Sequence, residues 1–198
     1  MIGVFHVSNT ITYLGVAAAV TGLVLAADRP GWAVLCLVVA GVCDLFDGVF
    51  ARRFPRSDAV RQFGIQLDSL ADMVSFVALP LAVMMATRPP WWLALVVGVG
   101  YAWAAVTRLA FFNITTDGLP AAYRGVPVTY AALLLPLVWL VVELLNGSTR
   151  LAWTISLALL GLSFVIDVSV PKPRGRAYAG FALLAIVLLA GLAWLELS

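Results

Sequence analysis

The apolar stretches of this chain recur at the length of a bilayer crossing, and this constrains the fold more than any motif does. A hydrocarbon core about 30 Å thick takes roughly 20 residues of helix. Seven segments of that kind follow one another, at 11–27, 32–51, 63–87, 91–112, 126–146, 151–170 and 178–197. Breakers fall between them: DRPG at 28–31, RPP at 88–90, NGS at 146–148 and PKPRG at 171–175. The expected fold is an all-α polytopic integral membrane protein, with residues 1–198 as a single membrane domain. A mean hydropathy of +1.04 leaves no room for a water-soluble domain. A net charge of +2 is too small for a nucleic-acid binder. The first residues, MIGVFHVSNT, carry no basic leader region or small-residue cleavage site, so the first apolar run is expected to be a retained span. Cys36 and Cys43 stand seven residues apart within apolar segments and read as reduced packing residues.

The basic residues are distributed unevenly among the connections. With the N-terminus inside, nine of the twelve fall on inner connections: Arg52, Arg53, Arg56, Arg61, Arg108, Arg124, Lys172, Arg174 and Arg176. Arg29, Arg88 and Arg150 fall outside. The positive-inside rule then places the N-terminus in the cytoplasm and the C-terminus outside, in a plasma membrane of prokaryotic type. Trp91 and Trp92 read as outer aromatic-belt anchors.

Against this background four acids stand out. Asp44 and Asp47 lie in CDLFDG of the second span, and Asp68 and Asp72 in LDSLAD of the third. An acid at the centre of a spanning helix costs roughly 2.5–3.5 kcal/mol on insertion scales, so four need compensation. Residues 44 and 47 share one helix face, and so do 68 and 72. At 1.5 Å per residue Asp44 lies about 12 Å before Arg52 and Asp72 about 16 Å beyond Arg61. All four carboxylates can therefore meet on the cytoplasmic side, at the depth of a lipid's phosphate and glycerol. Carboxylates that close repel one another unless cations sit between them, and hard oxygen ligands suit Mg²⁺ or Mn²⁺ working with a phosphate. Gly48 and Gly64 clear space beside the acids, for a ligand or for a neighbouring helix.

These residues resemble the signature of the CDP-alcohol phosphatidyltransferases. Asp44, Asp47, Gly48, Ala51 and Arg52 follow D-x-x-D-G-x-x-A-R, and Gly64, Asp68 and Asp72 follow G-x-x-x-D-x-x-x-D. The eleven residues between Arg52 and Gly64 make a longer stretch than many relatives have, which is expected to lengthen the cytoplasmic loop without moving the acids. Within the family, FGIQLDSLADMVSF at 63–76, TRLAFFN at 107–113, GLP at 118–120 and the entry formed by Ser8, Asn9 and Thr12 are most similar to the phosphatidylserine synthase branch. That branch has glycine after S-F and then A-P, where Val77, Ala78, Leu79 and Pro80 stand here. The likeness spans about residues 8–170, a six-helix core, with the span at 178–197 additional to it.

The resemblance implies a CDP-linked lipid donor, a hydroxyl acceptor with serine foremost, release of CMP, two divalent ions per site and, commonly, a homodimer. It assigns Asp44, Asp47 and Asp68 to metal and Asp72 to general-base work with a share in metal binding. Asp47, Gly48, Ala51, Arg52 and Gly64 would contact the nucleotide and its phosphates. Asn9 and Thr12 can hydrogen-bond the base or ribose, or else cap the first helix. Arg108 can take the acceptor's carboxylate with Asn113 beside it, or else snorkel to the inner surface. Other acceptors of the same family stay open: glycerol 3-phosphate, inositol phosphate, choline. An ion-coupled transporter would also place acids in the membrane, but would want polar breaks toward the outer face, where these spans are apolar.

Overall fold

The structure is a computed structural model, which describes residues 6–115, 122–171 and 176–198. Apolar helices dominate it: α1 (Thr10–Leu25), α2 (Pro30–Ala51), α3 (Asp58–Asp72), α4 (Leu79–Ala86), α5 (Trp91–Thr115), α6 (Ala131–Leu144), α7 (Thr149–Val165) and α8 (Arg176–Leu197). A π-helical stretch, Met73–Ala78, joins α3 to α4 without interruption, so the third span runs Asp58–Ala86. Five of the resulting helices are long and apolar enough to cross a bilayer, and Val128–Leu144 and Thr149–Val165 are shorter apolar helices. These are the seven segments expected from hydropathy.

The boundaries differ in three places. The third span begins at Asp58 rather than 63, because Ser57 caps it by accepting a hydrogen bond from the Val60 amide at 3.4 Å and Asp58 occupies its first turn. Most of the long stretch after Arg52 is therefore helix, not loop. The fifth span starts in the 3₁₀ turn Val128–Tyr130, after Pro127. The sixth helix stops at Val165 rather than 170. Beyond it Ser169–Pro171 (β2) pairs antiparallel with Ala122–Arg124 (β1), a two-stranded ribbon in an otherwise helical protein. Val168 and Val170 favour extended backbone, and Pro171 pushes the residue before it out of the helical region. Gly125 turns the chain out of β1 at φ +74°, and a Cβ there would press on the Phe164 carbonyl at 2.6 Å. The GLP stretch, Lys172 and Arg174 lie outside the described residues.

α1 and α2 pack along each other, with Gly15 against Cys43 and Gly22 against Cys36. Both thiols are free, as expected. The centre of the bundle is closed by aromatics: Trp139 meets Trp153 edge to face at 5.4 Å, and Tyr101 meets Phe164 at 5.4 Å.

The π-helical stretch follows from one residue. In an α-helix the amide of residue 80 would bond the carbonyl of Phe76, but Pro80 has no amide hydrogen and its ring crowds that carbonyl. The register widens instead, so that the Leu79 amide donates to the Val74 carbonyl five residues back. The Phe76 carbonyl is taken by the buried Tyr101 hydroxyl at 2.7 Å. Trp153 Nε1 donates to the Pro80 carbonyl at 3.0 Å. In hydrocarbon an unanswered backbone carbonyl is expensive, so α5 and α7 are pinned to the third span where it widens. Tyr101→Phe is expected to lower stability by about 1–2 kcal/mol. Thermal denaturation in detergent checks this, and a midpoint equal to wild type would contradict it.

Candidate active site

α2 and α3 bring their acids together. Asp44, Asp68 and Asp72 each offer a carboxylate oxygen, and the three lie within 4.8 Å of one another. Asp72 is buried at 7% exposure, while Asp44 and Asp68 are half-buried. The carboxyl groups of Asp44 and Asp72 contact each other between the helices, as do those of Asp47 and Asp68. All four acids line one small cavity, which α1 borders with Thr12 and Gly15 and α2 with Ala40 and Cys43. The Thr12 hydroxyl donates to Asp47 Oδ2 at 3.1 Å.

The first turn of α1 is built around the site and not around its own end. The Asn9 side chain makes no cap hydrogen bond. It is buried at 4% exposure; its Oδ1 accepts from Ser8 Oγ at 3.2 Å, and its Nδ2 has no partner among the described residues. A Cβ at Gly64 would stand 3.5 Å from that Oδ1, so the missing side chain lets α3 come up against Asn9. Asn9 and Gly64 thus face each other across the α1–α3 contact. On α2, Ala51 is buried and Arg52 exposed. Arg52 Nη1 lies 3.8 Å from where a Cβ of Gly48 would stand, so the guanidinium folds back along the helix over Gly48.

Arg108 and Asn113 part company. Arg108 is buried on α5 with its guanidinium 5.4 Å from the Phe112 ring centre. It lines a cavity of about 300 Å³ with Thr107, Gly125, Phe164 and Asp167, and none of the four acids borders that cavity. Asn113 instead reaches α3, where its Nδ2 donates to Ser69 Oγ at 2.9 Å and its Oδ1 accepts from Ser69 Oγ at 3.1 Å. Ser69, adjacent to Asp68, is a tie that sequence reasoning missed, although it stands in plain view in LDSLAD.

One buried and three partly exposed carboxylates crowded on two helices, with hard oxygen donors and open space beside them, fit a divalent cation. The sequence profile of the CDP-alcohol phosphatidyltransferase family matches residues 5–166. The chain belongs to that family. A CDP-diacylglycerol--serine O-phosphatidyltransferase of Mycobacterium tuberculosis is 29% identical over 194 residues, covering 93% of this chain and 67% of the relative. Its namesake in Bacillus subtilis is 28% identical over 149 residues, covering 74% and 77%. A putative cardiolipin synthase of Mycobacterium tuberculosis is 30% identical over 121 residues, covering 61% and 56%. As a member of this family the chain is a membrane-embedded transferase that takes a CDP-lipid donor and an alcohol acceptor, and its aspartate triad can bind a divalent metal.

Thr12→Val keeps the shape of α1 and removes the hydrogen bond that orients Asp47. The concentration of Mn²⁺ needed for half-saturation is expected to rise about tenfold. Electron paramagnetic resonance of bound Mn²⁺ measures it without turnover, and unchanged affinity would show that Thr12 does not hold Asp47 for metal.

Proposed function

We propose that the protein transfers the phosphatidyl group of CDP-diacylglycerol to the hydroxyl of L-serine and releases CMP, at the cytoplasmic face of a plasma membrane. The observation that carries the chemistry is the triad of Asp44, Asp68 and Asp72, whose carboxylate oxygens lie within 4.8 Å of one another between two spanning helices. The serine assignment is supported by the names of the mycobacterial and bacillary relatives and by the LDSLAD sequence itself. The cytoplasmic orientation is supported by the excess of arginine at the α2–α3 end.

Two divalent ions, Mg²⁺ or Mn²⁺, held by Asp44, Asp47, Asp68 and Asp72 would neutralise the pyrophosphate and its leaving oxygen. The residues of the chain do the rest. Arg52 grips a phosphate oxygen from the open side of α2, where Gly48 leaves room for it. Asn9 offers its amide hydrogen, which has no partner among the described residues, to the base or ribose, next to the gap at Gly64. Asp72, the most buried of the acids, accepts the proton of the serine hydroxyl as that oxygen bonds to the β-phosphorus. The bond from that phosphorus to the bridging oxygen breaks, and CMP leaves with the oxygen. Burial keeps water from competing with serine as the nucleophile. Ser69, locked by Asn113, holds the turn of α3 between Asp68 and Asp72, so Asn113 serves this site by positioning α3. Arg108 lies on another cavity, and any contact it makes with the acceptor must come from that side.

The relative named as a putative cardiolipin synthase favours a second reading, in which the acceptor hydroxyl belongs to a phosphate-bearing glycerol compound. One experiment separates the two. Purified protein is given CDP-diacylglycerol with serine, glycerol 3-phosphate, inositol phosphate or choline in turn. Serine alone is expected to yield CMP and a phosphatidyl product; product only from another acceptor replaces serine by that acceptor. EDTA is expected to stop turnover and Mg²⁺ or Mn²⁺ to restore it. Asp68→Ala is expected to lose at least about a hundredfold in rate, and full activity in that variant would remove the proposed metal site.

A further inference from the structure

The entry to α1 carries side-chain hydrogen bonds that the transfer chemistry leaves unused. His6, the only histidine, caps the 3₁₀ turn Val7–Asn9, and its Nδ1 accepts from the Ser8 amide at 3.1 Å. The Ser8 hydroxyl lies 2.9 Å from the same Nδ1 and donates to Asn9 Oδ1 at 3.2 Å. Ser8 and Asn9 are both buried, at 1% and 4% exposure. The half-buried His6 ring meets Phe54 edge to face with ring centres 6.4 Å apart, and Phe54 meets Phe50 of α2 at 5.1 Å. His6 therefore ties the residues that lead into α1 to the end of α2, where Ala51 and Arg52 stand.

These bonds decide which end of the Asn9 amide is committed. An imidazole nitrogen without hydrogen has one lone pair. With the Ser8 amide on that lone pair, the hydrogen of the Ser8 hydroxyl is left for Asn9 Oδ1. A hydrogen on Nδ1 would instead point at Ser8 Oγ and send the hydroxyl hydrogen the same way. Both states of the ring occupy Oδ1 and leave Nδ2 as the end on offer. That Nδ2 is buried and has no partner among the described residues. A buried amide donor left unanswered is costly, so an acceptor that reaches it is bound the more tightly.

We propose that His6 and Ser8 are positioning residues for the nucleotide. They hold the Asn9 amide with its oxygen committed and its hydrogens left over, so that Asn9 selects a hydrogen-bond acceptor of the CDP-linked donor. The inference rests on the transfer reading above, which gives Asn9 the base or ribose. Neither residue belongs to the two aspartate motifs, and each acts through Asn9. Without the Ser8 hydroxyl the amide can turn over, and its oxygen would then face an acceptor atom and repel it.

Calorimetric titration with CMP in detergent, with Mg²⁺ present, compares wild type, Ser8→Ala, Asn9→Ala and the double variant. Ser8→Ala is expected to weaken CMP binding about fivefold, the worth of one net hydrogen bond. In the Asn9→Ala background the same change is expected to cost nothing further, because its effect passes through the amide. The affinity of Ser8→Ala for Mn²⁺, read by electron paramagnetic resonance, is expected to match wild type. A merely structural role would lower metal and nucleotide affinity together, and by the same factor in both backgrounds. If Ser8→Ala loses its Mn²⁺ affinity, His6→Phe takes its place in the cycle. That variant keeps a ring against Phe54 and removes Nδ1, with an expected weakening of about threefold. Unchanged CMP affinity in the substituted protein, or equal factors in the two backgrounds, overturns the proposal and leaves the transfer reading standing. Wild-type protein that binds no CMP refutes both.

Discussion

Four carboxylates between two spanning helices dominate the energetics of this protein, because hydrocarbon offers them neither water nor counterions. The surrounding structure answers that cost. α2 and α3 present their acids to each other and not to lipid, so the carboxyl groups meet in pairs between the helices. α1 closes the third side and supplies a hydroxyl to Asp47. α5 holds the acid-bearing turn through Asn113 and Ser69. A cluster of one charge sign held this firmly is poised to receive positive charge, which is why the same feature reads as a metal site and as a strain on the fold.

The third span shows how the arrangement is kept in place. Its first half is polar and carries the acids; its second half is apolar and carries Pro80. Two halves of one straight α-helix would have their buried faces fixed relative to each other by the 3.6-residue repeat. The widened register between them loosens that link, so the acid face can turn to α1 and α2 while Leu79 and Val83 are buried in the core. Tyr101 and Trp153 then hold the carbonyls on either side of the break. The departure at 77–80 from the branch it most resembles thus coincides with a mechanical feature of the span that bears Asp68 and Asp72.

Much of this was legible in the sequence, for reasons that can be named. The spans were visible because bilayer thickness imposes a length on apolar runs, and the convergence of the acids because helical periodicity and one short connection leave little freedom. What escaped depends on partners distant in the chain. Nothing in VSVP announces that it pairs with 122–124, because β-bridging is decided by the strand across from it. Pro80 was in view, but its effect depended on Tyr101, 21 residues on, and on Trp153. Arg108 and Asn113 look like a pair five residues apart, yet at 100° per residue they fall on opposed faces of α5. One of them therefore meets Gly125 and the end of α7, and the other meets α3. Asn9 and Thr12 had two sequence readings; Asn9 stands at the N-cap position but its side chain makes no cap hydrogen bond, its oxygen accepting from Ser8 and its buried amide having no partner among the described residues.

A transferase working at a membrane surface has to admit two substrates that come from different phases. α2 is the element through which this fold can do so, because Asp44 and Asp47 border a cavity on each of its sides. Toward α1 and α3 the lining is rich in hydroxyls and carboxylates, which suits a phosphate and a small polar acceptor. Toward α6 and α8 the apolar side chains of Val42, Leu45, Leu133 and Phe181 stand beside the hydroxyls of Thr129, Tyr130 and Tyr178. Asp44 and Asp47 stand where the two cavities adjoin, so a cation held by them is within reach of both.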